Sequence, residues 1–411
     1  MNLFVCEGSS ASTLPPLTDT KPLFDLICGS MSLLDRIKET LGNPEPMLGV
    51  RHDLCEVTVE THEGASVNMG SSVSTLLVNG AILWTPHLAA TVAVEGPDTV
   101  YTSGGIIVAA RVSSHDWSSS NFANPFSDLD PKLPHVEVDA VVIGRLWDLI
   151  RESPRQLAED LARHPDLGNL GRTLHPSVQS VSPDQIRISS TAIIGAGTVL
   201  DASGGPIVID DSVMIGHLAI ISGPVYIGPN STIKNGAQIS PGTTIGESCK
   251  VGGEVTASII QSFSNKQHEG FLGHAYIGSW VNLGAGTNNS NLKNNYGSVK
   301  IWVGDQVMDS GEMFLGCIIG DHSKVGIGAT INTGTVIGTG CNLFGAAMFE
   351  KYVPNFSWGE AGALVPFRIE KFLQVAKIVM MRRNKSLTPA METLLRKLYA
   401  SSSETPSDFK K

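Results

Sequence analysis

Two imidazoles stand six residues apart in one polar stretch of this chain: His268, within Ser264-Asn265-Lys266-Gln267-His268-Glu269-Gly270, and His274, after Phe271-Leu272-Gly273. An imidazole, whose ordinary pKa lies near 6.5, suits the task of taking a proton from a substrate at neutral pH. A surface histidine bonded to backbone is the plainer reading of either ring. The six cysteines, Cys6, Cys28, Cys55, Cys249, Cys317 and Cys341, show no paired spacing, which fits reduced and mostly buried thiols better than disulfides or a metal centre.

The elements that must hold these rings announce themselves as a repeat. Ile209, Ile215, Ile221, Ile227, Ile233, Ile239, Ile245 and Val251 follow one another at every sixth position. That period fits neither an amphipathic helix nor an alternating strand and is the mark of a parallel β-helix, one hexad per flat face. Small residues after the aliphatic ones, as in Ile215-Gly216, Ile227-Gly228 and Ile245-Gly246, give the corners the backbone freedom that a tight coil needs. The rhythm also runs through Ile188, Ile194 and Leu200, through Ile277 and Leu283, and through Ile319, Val325, Ile331, Ile337 and Leu343. One hexad buries a single isoleucine, too little to offset the ordering of six residues of backbone, so many coils must stack. Register changes at Asp201 to Pro206, Thr256 to Tyr276 and Thr287 to Phe314 read as insertions, and both imidazoles fall in the second. Loops that interrupt a regular scaffold are where binding and catalysis concentrate.

The rest of the chain divides around this solenoid. Residues 1–115 alternate short apolar runs with turns, as a small α/β domain would. Residues 116–185 read as a linker with a helix from Leu146 to Arg163 that Pro154 should divide. The solenoid is expected over 186–345. Residues 346–400 hold helical spacing from Ile369 to Met380, which caps or braces the coils, and residues 401–411 read as a disordered tail. A net charge of -10 argues against a nucleic-acid grip. No run of about 18 apolar residues and no secretion signal is seen, so no membrane contact is expected and the cytoplasm is the default.

His268, Leu272-Gly273, Tyr276-Ile277-Gly278 and Val281-Asn282-Leu283-Gly284-Ala285-Gly286-Thr287 together resemble the acetyltransferase half of the bifunctional N-acetylglucosamine-1-phosphate uridyltransferase/glucosamine-1-phosphate N-acetyltransferase family. From Lys250-Val251-Gly252-Gly253-Glu254-Val255 through Asn291-Leu292-Lys293-Asn294-Asn295-Tyr296 the chain is similar to a branch of that family with shortened N-terminal domains. The likeness covers most of residues 186–345. It implies a mainly β fold whose solenoid is a left-handed parallel β-helix. It also implies a homotrimer with active sites shared between neighbouring subunits. The implied reaction is acetyl transfer from acetyl-CoA to the amine of an amino sugar phosphate of the glucosamine 1-phosphate type, within UDP-N-acetylglucosamine biosynthesis.

The resemblance places the base at His268, while His274 aligns with a turn aspartate and ranks second. Phe271 falls where relatives set an aromatic ring against the sugar, and a core ring is the alternative. Asn282 and Asn291 match amides that contact the sugar, or serve as turn and ladder residues. Ala285 matches a backbone contact of the acetyl-CoA arm, and Gly311 and Thr333 fall near later contacts of that cosubstrate. Where relatives present an arginine to the sugar phosphate, this chain has Ser240, and a second basic position of theirs falls near Ser258. Lys250, Lys266 and Lys293 are the ammonium groups that could supply the charge instead, unless each is a solvated surface lysine.

Leu14-Pro15-Pro16-Leu17-Thr18, Lys21-Pro22-Leu23 and Ser32-Leu33-Leu34-Asp35-Arg36-Ile37 resemble a worn sugar nucleotidyltransferase start. The family's glycine-rich phosphate loop is replaced by Glu7-Gly8-Ser9-Ser10-Ala11-Ser12. Lys21 could still meet a nucleotide phosphate, and Mg²⁺ is expected only if this domain is active. The alternative to an enzyme is a catalytically silent β-helix that binds a sugar nucleotide or scaffolds a complex. His268 and the intact Asn282 to Thr287 coil favour the enzyme, because a scaffold needs neither.

Overall fold

The computed structural model describes residues 1–70, 73–113, 121–171 and 173–403. Residues 114–120, across the expected boundary between first domain and linker, and 404–411 of the expected tail lie outside the described residues.

The hexads stack as parallel strands into three faces, which each coil visits in turn. The first face is a nine-stranded sheet from Ile186–Ile188 to Tyr352–Val353, and the second a ten-stranded sheet from Ile193–Ile194 to Val365–Pro366. The third has six strands, from Gln179–Val181 to Phe271–Gly273, and the parallel pair Asn288–Asn289 and Thr330–Ile331 lies beyond it. Register fixes the inward columns: Ile188, Ile209, Ile227, Ile245, Ile260 and Ile277 on the first face, and Leu200, Ile221, Ile239, Val255 and Leu272 on the third. This is the expected β-helix. Its strands begin at Gln179 and continue through Ser357–Gly359, beyond the expected 186–345 at both ends. Buried serines tie coil to coil: the Ser264 hydroxyl donates to the Gly278 carbonyl at 2.6 Å and accepts from the Val281 amide at 2.9 Å.

The stretch Thr256 to Tyr276, expected as an insertion, is a regular coil. Glu254–Thr256, Ile259–Ile260, Asn265–Lys266 and Phe271–Gly273 each pair with the strand before them. Two features hid it: the corner Gly252-Gly253 is short, which shifts the phase, and Lys266 stands in the aliphatic column. The stretch from Thr287 to Phe314 leaves the coil only after the strand Asn288–Asn289, and carries an antiparallel hairpin of Lys300–Val303 and Gln306–Asp309.

The N-terminal unit is an α/β domain built on one sheet. Its strand order is Met47–Gly49, Asn2–Cys6, Thr75–Asn79, Ile106–Val112, Thr99–Ser103, His135–Glu137, and the first three run parallel. The last of these strands lies in the segment expected as linker, so the domain extends past residue 115. Helix Leu146–Ala162 belongs to it as well and is not divided by Pro154. An interior proline weakens a helix by about 3 kcal/mol; here Leu146, Leu149 and Ile150 before it and Leu157 and Leu161 after it are all buried, which holds both halves in line.

This domain packs on the first face. Ile259, Tyr276, Ile318 and Val336, which point outward from that face, share one core with Leu23, Leu26, Leu33 and Ile143. Helices Ile369–Met381 and Pro389–Ser403 brace the same assembly. Phe372 packs edge-on to His322 at the corner between first and second faces, Arg383 donates to the Ser248 carbonyl at 3.0 Å, and Lys397 pairs with Asp53 at 3.0 Å. The second helix runs through Ser403, past the expected start of the tail. Among the described residues no helix is long and apolar enough to cross a membrane.

Candidate active site

His268 sits on the corner between second and third faces, in the turn Gln267 to Gly270 that links Asn265–Lys266 to Phe271–Gly273. Its neighbours in the stack hold that turn from both sides. On one side lies the diglycine corner: a Cβ on Gly252 would meet the Gln267 carbonyl at 2.7 Å, and one on Gly253 the Gly270 carbonyl at 2.7 Å. On the other, the Gly286 amide donates to the Glu269 carbonyl at 2.9 Å. The His268 side chain itself is exposed, and among the described residues nothing hydrogen-bonds its ring.

His274 occupies the opposite edge of the third face, with a left-handed φ of 48°. Its Nδ1 lies 2.9 Å from Asn291 Nδ2, which makes Nδ1 the acceptor, and its ring stacks on Phe314 at 5.1 Å. Burial holds its pKa below the ordinary imidazole value. Asn291 and the Phe271 ring meet over Gly273, where an added Cβ would come 2.5 Å from the ring and 2.7 Å from the amide nitrogen. Two asparagines absent from the expected set, Asn288 and Asn289, stand in for a strand here: Asn288 accepts from the Phe271 amide at 2.7 Å, and Asn289 bonds both the amide and the carbonyl of Gly273 at 2.8 and 2.9 Å. Their adjacency just after the Gly284 to Thr287 corner was the only trace in the sequence.

The structure therefore separates the expected residues. Phe271, His274 and Asn291 gather at one edge of the third face, and His268 and Ala285 at the other; the short strand Phe271–Gly273 between them spans about 10 Å. Asn282 and the exposed Lys250 point outward from the second face, beside the His268 edge. Gly311 is exposed at the base of the hairpin with its amide bonded to Asp309 at 3.0 Å, and Thr333 is buried, its hydroxyl 3.1 Å from the Lys351 ammonium.

Lys266 is closed to a substrate phosphate, being buried and bonded to backbone carbonyls. Lys293 is half-buried with one bond to the backbone, donated to the Ser298 carbonyl at 3.0 Å. Ser258 is fully buried and bonds the Thr256 carbonyl and the Ala275 amide.

In the N-terminal domain the groups that would meet a nucleotide are bonded inside the protein. Glu7, the first residue of the stretch that replaces the phosphate loop, is fully buried, and its carboxylate accepts from the amides of Leu23 and Arg51 at 3.1 and 2.8 Å. Lys21 faces the solenoid instead of a ligand. Its ammonium pairs with Asp321 at 2.8 Å and donates to Gln261 and Ser279 at 2.6 and 3.1 Å.

Comparison with known proteins adds a second line. Residues 3–165 match the family described as sugar nucleotidyl transferase, and residues 206–241 match bacterial transferase hexapeptide (six repeats). A bifunctional sugar-1-phosphate nucleotidylyltransferase/acetyltransferase of Sulfurisphaera tokodaii is 34% identical over 126 residues, 31% of this chain and 30% of that protein. The bifunctional protein GlmU of Synechococcus elongatus is 27% identical over 202 residues, 49% of this chain and 37% of that protein. An uncharacterized acetyltransferase of Escherichia coli, YaiX, is 30% identical over 159 residues, 38% of this chain and 69% of that protein. The chain thus spans about a third of the length of the two bifunctional relatives.

Proposed function

We propose that this chain, which belongs to the hexapeptide-repeat acetyltransferase family and carries a sugar nucleotidyltransferase domain ahead of its solenoid, transfers an acetyl group from acetyl-CoA to the amine of an amino sugar phosphate. The observation that carries this reading is the His268 corner: an exposed imidazole with a free ring, on a turn locked by the coils on either side. A sugar ammonium cannot attack a thioester until it loses a proton. His268 takes that proton, the amine nitrogen bonds to the acetyl carbon, the carbon–sulfur bond breaks, and the second proton shed by the new amide nitrogen passes to sulfur, so that coenzyme A leaves as the thiol and His268 returns its proton to water. His274 is the poorer base because its Nδ1 is already engaged and its burial disfavours the protonated ring.

Phe271 and Asn291 supply a flat face and an amide for the sugar, Asn282 a second amide, and Lys250 the free ammonium for the phosphate. Ala285, on the corner above His268, offers its backbone to the coenzyme arm. Because the Phe271 ring, Asn291, Gly311 and Thr333 lie away from the His268 edge, they fit this reading as contributions from a neighbouring copy, which makes a homotrimer with shared sites the assembly it requires. The N-terminal domain acts as a brace in this reading, since Glu7 and Lys21 are committed inside the protein. Six free cysteines, five of them buried, suit a reducing compartment such as the cytoplasm.

The test is to incubate the purified protein with acetyl-CoA and a panel of amino sugar phosphates and to follow thiol release. Release that depends on a glucosamine 1-phosphate type of acceptor is expected. Absence of release with every acceptor would leave only a binding or scaffolding role.

A further inference from the structure

Lys266 occupies a position that the hexads give to an aliphatic residue. On the second face it is in register with Val251, which continues the inward column of Ile194, Ile215 and Ile233. It is only 3% exposed. Its ammonium donates to the Gly252 carbonyl at 2.8 Å and to the His268 carbonyl at 3.0 Å. A Cβ on Gly253 would lie 2.8 Å from Nζ, so the ammonium sits directly under the seam between the diglycine corner and the His268 turn. Burial drags its pKa down to about 8, against the pull of Glu269 and Glu254.

A charge inside an apolar column is unfavourable for folding unless it is fully paired, and an apolar residue of similar volume there is commonly neutral or stabilising. Sequences break such local rules mainly where function demands it. We propose that Lys266 is a positioning residue, whose ammonium ties the His268 carbonyl to that of Gly252 and so fixes the turn that presents the imidazole. This rests on the reading of His268 as the base, and it assigns Lys266 to that base's support and not to the substrate phosphate.

Lys266→Met and Lys266→Gln in the full chain test it. The Met variant should unfold at the same or a higher temperature, yet lose about tenfold or more in kcat with KM for acetyl-CoA little changed, because displacement of a catalytic group by a fraction of an ångström is enough for such a loss. Its backbone amides over residues 267–270 should also exchange hydrogen for deuterium faster. The Gln variant keeps N–H donors and should recover part of both. Wild-type kcat and exchange in the Met variant would overturn the proposal, as would a loss of stability and activity together that Gln does not relieve. The exchange measurement needs no turnover, so it decides the role of Lys266 even if the wild-type protein proves not to acetylate an amino sugar.

Discussion

At the scale of single residues, partners decide what a titratable group can do. His268 and His274 looked alike in the sequence, two rings in one polar stretch; the structure gives one of them open solvent and the other an amide and a phenyl ring. The same logic governs Asp19, a residue with no chemical role here. Its carboxylate accepts from Thr339 at 3.0 Å and Asn355 at 2.8 Å, and burial, aided by the nearby Asp321 charge, outweighs those bonds and Arg51 and raises its pKa to about 6. A carboxyl raised above its unfolded value binds its proton more tightly in the folded state, so its ionisation destabilises the fold above about pH 6 and that penalty fades as pH falls toward 4. Asp19→Asn, which keeps the accepting oxygen, should therefore melt a few degrees higher than wild type at pH 8, with the difference vanishing near pH 4. Equal melting temperatures at both pH values would contradict this assignment. Lys266 shows the limit of reading residues alone: as a lysine in a polar string it suggested phosphate contact, and only its register with Val251 placed it indoors.

At the scale of elements, the coil was legible wherever its phase was kept. Six-residue spacing from Ile209 to Val251 marks eight strands, whereas the coil from Val255 to Leu272 reads as an insertion because the corner before it is short and its column carries a charge. Helix Leu146–Ala162 failed the other way: a local rule about Pro154 lost to burial on both sides of it. The short corner has a functional consequence that can be tested. Gly253 has φ of 69° and no room for a Cβ, which would come within 2.9 Å of the His268 carbonyl. Gly253→Ala should push the His268 turn outward and lower kcat about tenfold or more, while the circular dichroism of the solenoid stays that of wild type. A variant with full activity would show that the diglycine does not set the position of the base.

At the scale of the whole molecule, the domain contact is written in the outward residues of the first face. Val208, Ile259, Ile318 and Val336 each precede an inward aliphatic residue and point outward, where a free solenoid face would be polar; they are buried because the N-terminal domain and its helix cover the first face. Lys21 and Asp321 are the charged seam of that contact, with side chains 16% and 6% exposed. Lys21→Ala leaves the Asp321 carboxylate buried with Thr20 as its remaining side-chain donor, so a loss of about 3 kcal/mol is expected in chemical denaturation. A variant as stable as wild type would mean that Lys21 is free for another partner, and would reopen nucleotide binding at this domain. The proposed acetyl transfer rests instead on the opposite side of the solenoid, at one imidazole. The most direct measurement is the rate of thiol release from acetyl-CoA with an amino sugar phosphate, compared between wild type and His268→Ala at equal folded fraction. The account predicts a loss of about 10² to 10⁴-fold in the variant; unchanged release, with the loss appearing in His274→Ala instead, would contradict it.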